Sequence, residues 1–137
     1  MLQRPELFGA VLSVVPVTDM VRYQLFTAGR YWTGEFGDAG ADRETLEHLL
    51  AYSPLHNVDP GKTYPPTLLT TAESDDRVVP MHAMKFAAAL QHAAGGASQH
   101  PLLLRVETRA GHGFGKPTTK QIEEYAHLYG FLLAHLA

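Results

Sequence analysis

Two stretches of the sequence carry side chains able to move protons. In "ESDDRVVP", from Glu73, the adjacent carboxylates Asp75 and Asp76 are followed by Arg77 and the valines Val78 and Val79. In "TRAGHGFGKP", His112 stands between Gly111 and Gly113. Flanking glycines let a loop bend sharply and leave an imidazole unshielded, as a general base requires. A carboxylate paired with that imidazole would fix its tautomer and stabilise its protonated form. The ordinary alternatives are a surface histidine at 112 and a turn or helix-capping carboxylate at 75. The capping role falls better to Asp76, which directly precedes the helix-opening segment.

The elements around these residues determine whether they can meet. "AVLSVVPV", 10–17, reads as a strand buried on both faces, ending at Thr18-Asp19. Residues 20–40, with aromatic residues separated by glycines, read as irregular with one helical turn. Asp42 to Tyr52 has leucines at 46, 49 and 50 and predicts a short amphipathic helix stopped by Ser53-Pro54. A second strand is predicted from Pro66 to Ala72, and a helix from Met81 to Ala94 with Met81, Met84, Ala88 and Leu90 available to a core face and Gly95-Gly96 closing it. "LLLRVET", from Leu102, is the third strand. The last helix starts near Thr118, whose spacing to Gln121 fits a capping box, and repeats apolar residues at 122, 125, 129, 132, 133 and 136.

Strand, helix, strand, helix, strand, helix argues for a parallel α/β sheet with crossover helices. All three strands read as apolar and unguarded by charge, so none is an obvious edge and the chain reads as part of a larger sheet. Asp75 and His112 then lie past the C-terminal ends of successive strands, where the sheet presents loops to ligands. An acid after one strand and a histidine after the next follow the chain order of α/β-hydrolases.

"YSPLHNV", "TYPPTLLTTAESDDRVVPMHAMKFAAALQ" and "AGHGFGKPT" resemble the C-terminal end of the prolyl oligopeptidase family of serine peptidases. The similarity runs from "QRPELFG" to the closing helix. The individual motifs are short, but their order and spacing together are specific. The resemblance implies that residues 1–137 are a partial catalytic domain of α/β-hydrolase fold, about three parallel strands with crossover helices, without the upstream strands and the β-propeller. It implies Asp75 as the triad acid and His112 as the general base. Arg77 resembles the arginine that binds a substrate main-chain carbonyl; its bland alternative is a solvated charge or a partner for Asp76. Trp32 resembles the indole that stacks on a substrate proline, with Val17, Phe36, Val78 and Val79 as apolar wall. Phe36 stands where the family commonly carries tyrosine, which makes strict proline preference less secure. The implied substrate is a proline-containing oligopeptide; the compartment is left open by the sequence, the cytoplasm being only a family-based expectation.

A serine nucleophile in this fold belongs in a G-x-S-x-G elbow upstream of the acid. Ser13, Ser53, Ser74 and Ser98 are the serines present, and none has that context. Ser98, in "GGASQH", comes nearest but follows the acid and lacks the final glycine. The reading is therefore of a fragment that is inactive alone, whose partner is the missing upstream half of the catalytic domain. A pseudoenzyme or interaction module, or a related dipeptidyl peptidase, acylaminoacyl peptidase or esterase, is the alternative.

Composition supports a folded chain: 45% of residues are hydrophobic and 18% charged. A formal charge of -3 gives no footprint for nucleic acid or for an anionic membrane. Cysteine is absent, which excludes disulfides and thiolate chemistry, and the 8 histidines form no H-E-x-x-H motif, so no metal and no cofactor is expected. Exposed strand edges would favour self-association.

Overall fold

In the computed structural model, which describes residues 1–94, 100–113 and 115–137, three parallel strands are crossed by helices as the alternation predicts. Strands β1 (Val11–Val14), β2 (Thr67–Ala72) and β3 (Leu102–Glu107) lie in the order β1-β2-β3. β2 is central and all six of its residues are buried. The helices are α1 (Thr33–Phe36), α2 (Arg43–Tyr52), α3 (Met81–Ala93) and α4 (Thr118–Leu136).

Alternation along β2 sends successive side chains to opposite layers. Leu69 packs with Phe86 and Leu90 of α3, with Leu102 and with Tyr64. Leu68 instead meets Leu128 and Phe131 of α4, with Leu12 beside them. The sheet is thus covered on both faces, which explains why β2 reads as a continuous apolar run. Leu90 is fully buried, and a fully buried leucine contributes about 1.5–3 kcal/mol.

Several expectations are corrected. β1 is shorter than residues 10–17 and only half-buried, with Val14 53% exposed. Val15 leaves the strand at φ 48°, a left-handed conformation that crowds a β-branched side chain and ends the extended run. Among the described strands β1 and β3 are both edges, and β3 carries Arg105 and Glu107, so it is not free of charge. The core face of α3 is Ala83, Phe86, Ala87 and Leu90, at the i, i+3, i+4, i+7 spacing, while Met84 and Ala88 are exposed.

The apolar repeat of α4 points outward. Ile122, Tyr125, Tyr129 and Leu133 are each more than half exposed, and the buried positions are Leu128 and Phe131. α4 has apolar residues on several sides, and its docking on Leu68 and Leu12 selects the face that periodicity alone left open. The capping box does not form either. Pro117 is the N-cap without a side-chain bond, and Gln121 Nε2 donates to the Lys116 carbonyl at 2.8 Å. α2 begins and ends as predicted: Asp42 Oδ1 accepts the Thr45 N–H at 2.7 Å, and the helix stops before Ser53-Pro54. Gly95-Gly96 and Ser98 lie outside the described residues.

Candidate active site

The loops after β2 and β3 continue the sheet's pairing before they diverge. The Glu73 N–H donates to the Glu107 carbonyl at 2.9 Å and the Ser74 N–H to the Ala110 carbonyl at 3.1 Å, while the Arg109 N–H reaches Glu73 Oε2 at 3.1 Å. This zipper brings together the two residues that follow it. Asp75 Oδ2 lies 2.8 Å from His112 Nδ1, with the carboxylate buried and the imidazole 34% exposed. A carboxylate at Nδ1 favours the proton there and leaves Nε2 as the basic nitrogen. Gly113, at φ 107°, takes a conformation closed to most side chains, so the glycine after His112 is needed for the turn.

The role assigned to Asp76 belongs to Asp75 as well. Asp75 Oδ1 accepts the Arg77 and Val78 N–H groups at 2.9 and 2.8 Å, whereas Asp76 is exposed. One oxygen of Asp75 builds the turn and the other faces His112.

Beside this pair opens a cavity of about 790 Å³ lined by Val17, Trp32, Phe36, Arg77, Val78 and His112, among others. Val79 is half-buried at the start of α3, where its carbonyl accepts the His82 N–H at 3.1 Å, and is not part of that lining. Trp32 stacks on Tyr23, with ring centroids 6.4 Å apart and planes 11° from parallel. Phe36 meets the same ring edge-on at 5.8 Å. Tyr23 is fully buried and donates its hydroxyl to the Gly37 carbonyl. Burial pushes the Tyr23 phenol above its ordinary value, so it remains a neutral support. Sequence reading missed Tyr23, and also Met20, Tyr52 and Val15 of the lining. Between residues 20 and 40 the chain forms short helical turns without a regular period, so only the aromatic content of the segment was a signal.

A buried polar cluster anchors that segment to α3. Thr18 Oγ1 donates to the His82 carbonyl at 2.7 Å, the Asp19 N–H donates to His82 Nδ1 at 3.2 Å, and Asp19 Oδ2 meets Lys85 Nζ at 2.5 Å and Arg22 Nη1 at 3.3 Å. Burial alone would raise the Asp19 carboxyl, but Lys85 and Arg22 outweigh it and hold it below its usual range. Burial also lowers His82, whose ring stays neutral.

Among the described residues, Asp75 is the hydrogen-bond partner of the His112 side chain, and no serine reaches it. Ser53 is buried and donates to the Thr18 carbonyl at 3.1 Å, and Ser13 lies within β1. No cluster of three or more His, Cys, Asp or Glu suited to a metal occurs among the described residues, and none of their helices is long and apolar enough to cross a membrane.

The profile of the prolyl oligopeptidase family matches residues 1–137. A prolyl endopeptidase of Elizabethkingia miricola is 46% identical over 133 residues, 97% of this chain and 19% of that protein. A structure solved in a mechanistic study of two prolyl endopeptidases superposes with TM-score 0.92 at 49% identity, over 99% of this chain and 20% of that one. Prolyl oligopeptidase B of Galerina marginata, bound to a 35mer hydrolysis and macrocyclization substrate as a histidine-to-alanine variant, matches with TM-score 0.87 at 38% identity, over 94% of this chain and 18% of that one. The same protein is also solved as an aspartate-to-alanine variant, the two altered positions standing 37 residues apart. The chain therefore spans about a fifth of the length of these relatives.

Proposed function

Because the chain belongs to the prolyl oligopeptidase family, with the partial α/β-hydrolase sheet of its relatives, we propose that it forms the acid and base side of a proline-specific serine endopeptidase site. In this reading residues 1–137 are the C-terminal part of the catalytic domain. The nucleophile is a serine outside these residues, on an upstream part that docks against the open edge of β1.

The observation that carries the reading is the contact of Asp75 Oδ2 with His112 Nδ1 at 2.8 Å, beside a cavity that also presents Trp32 and Arg77. Asp75 and His112 are 37 positions apart, the separation of the aspartate and histidine altered in the Galerina marginata relative.

His112 Nε2 would take the serine hydroxyl proton as the oxygen attacks the carbonyl carbon of the proline. The imidazolium, stabilised by Asp75, would then protonate the departing amine, and water would release the acyl group by the same steps in reverse roles. Trp32 would offer its face to the proline ring, held flat by Tyr23 behind it. Arg77, exposed at the rim, would hold a substrate carbonyl.

The test is reconstitution. The chain is mixed with an upstream catalytic portion of a family member bearing the serine, and cleavage of a short peptide after proline is followed. Cleavage that disappears when that serine becomes alanine supports the reading. Stable association without cleavage overturns it.

A further inference from the structure

Both ends of the loop that carries His112 are tied to one buried carboxylate. Glu107 closes β3 and is 7% exposed. Its Oε1 accepts from Lys120 Nζ at 2.9 Å, its Oε2 accepts from Arg105 Nη2 at 2.8 Å, and Lys116 Nζ stands 3.8 Å from Oε2. Lys120 also donates to the carbonyl of Thr108, where the loop leaves the strand. Lys116, where the loop returns, is 9% exposed and pairs with Glu124 Oε2 at 2.6 Å.

Among the described residues, the first half of the loop is held by the Arg109 N–H on Glu73 Oε2 and the Ala110 carbonyl on the Ser74 N–H, and its return by the Lys116 N–H on the Gly113 carbonyl at 3.2 Å. Arg109, Gly113 and Gly115 all take positive φ, at 53°, 107° and 72°, so the backbone reverses direction repeatedly without a regular ladder. A buried ion cluster is a poor way to gain stability, because desolvation offsets most of the attraction and apolar packing would serve as well. Its charge-assisted bonds do supply direction and length. Here they fix Thr108 and Lys116, the residues four positions either side of His112.

We propose that Glu107 is a positioning residue for His112: by gathering Lys116, Lys120 and Arg105 it sets the path of the loop and so the angle at which the imidazole meets Asp75. For its kinetic arm alone the inference rests on the reading of His112 as general base. The primary readout is independent of catalysis.

The experiment follows the His112 tautomer and its Nδ1 hydrogen bond by nitrogen-proton correlation NMR on the 137-residue chain, above the pH of imidazole protonation. Wild type is expected to hold the proton at Nδ1. Glu107→Gln and, as an independent variant in case the first does not fold, Lys116→Met are expected to lose that preference and give a tautomer mixture, with Lys116→Arg restoring it. Glu47→Gln, an exposed change on α2, should leave the His112 signals unmoved. In the reconstituted enzyme, Glu107→Gln should lower kcat about 10²-fold with KM unchanged, the effect of a roughly 1 Å misplacement. A folded variant with a lower Tm but the wild-type His112 tautomer would make the cluster merely structural and overturn the proposal. A tautomer shift without any cleavage in reconstitution would support it while removing the peptidase reading.

Discussion

The carboxylate of Asp75 that faces His112 through Oδ2 also accepts the Val78 N–H through Oδ1 at 2.8 Å. Orientation of the imidazole and construction of the turn are therefore properties of one side chain, and they are separable by substitution. Asn at position 75 keeps an oxygen for the Arg77 and Val78 N–H groups but turns a donor toward the imidazole. Asp75→Asn is expected to leave Tm nearly unchanged while kcat of the reconstituted enzyme falls about 10⁴-fold, the cost of the wrong tautomer. Asp75→Ala should in addition cost about 2 kcal/mol, because two backbone donors lose their acceptor; thermal unfolding of the two variants compares them directly.

His112 bears less on folding, since its side chain is 34% exposed. His112→Ala should shift stability by no more than about 0.5 kcal/mol and abolish turnover, by about 10⁶-fold where the full serine site is present. Residual turnover near the wild-type value would remove the imidazole from the chemistry.

The cavity divides into a stacked platform and a charged rim. Tyr23→Leu removes the ring behind Trp32 and the hydroxyl bonded to the Gly37 carbonyl. It should cost about 2–3 kcal/mol and raise KM for proline peptides. Arg77→Ala should leave Tm alone, because the side chain is exposed, and raise KM with a smaller change in kcat. Steady-state kinetics on a peptide series with proline replaced by alanine would show the platform contribution only in the wild type.

His82 makes stability depend on pH. Burial holds its folded value below the ordinary imidazole value of 6.5, with Asp19 opposing and Lys85 assisting. Below about pH 6.5 the unfolded chain takes up a proton that the folded chain refuses, so stability is full above that value and is lost as pH falls toward the folded pKa. Tm measured against pH should fall across that window, and the slope should be reduced in His82→Gln. Glu107 acts lower: Lys120 and Arg105 hold it at about 2, below 4.5, so its contribution is present above pH 4.5 and is lost as pH falls toward 2.

The outward stripe of α4 is exposed, and within it Tyr129 stacks on Tyr125 of the same helix with ring centroids 6.0 Å apart. Tyr129→Lys and Leu133→Glu, at positions 60% and 69% exposed, should change stability by no more than about 0.5 kcal/mol. If this face drives self-association, sedimentation should show a smaller species in the double variant. Unchanged association would assign it to the edge of β1.

How much of this was legible in the sequence differs by residue. β2 was readable from "TLLTTA" because a strand buried on both faces needs apolar or β-favouring residues at every position. Asp42 and Pro54 marked the ends of α2 through backbone chemistry that is local to a few residues. The chain order of Asp75 and His112 followed from strand alternation, which puts successive loops at one edge of a parallel sheet. Which face of α4 is buried was not readable, because its apolar residues occur on several sides and the docking partners Leu68 and Leu12 are distant in sequence. The choice between Asp75 and Asp76 as turn carboxylate was equally closed to periodicity, since adjacent residues differ only in the direction the backbone gives them.

The sequence by itself determined the parallel α/β order, the family, and the residue types able to act as acid, base and platform, because those depend on local pattern and motif spacing. The tertiary structure alone decided that Tyr23 backs Trp32, that Val79 is not part of the cavity lining, and that Glu107 gathers Lys120, which bonds the Thr108 carbonyl, and Lys116 beside the His112 loop. Such contacts join segments remote along the chain, and their geometry is set by packing of the sheet layers and by the need of each buried charge for a partner.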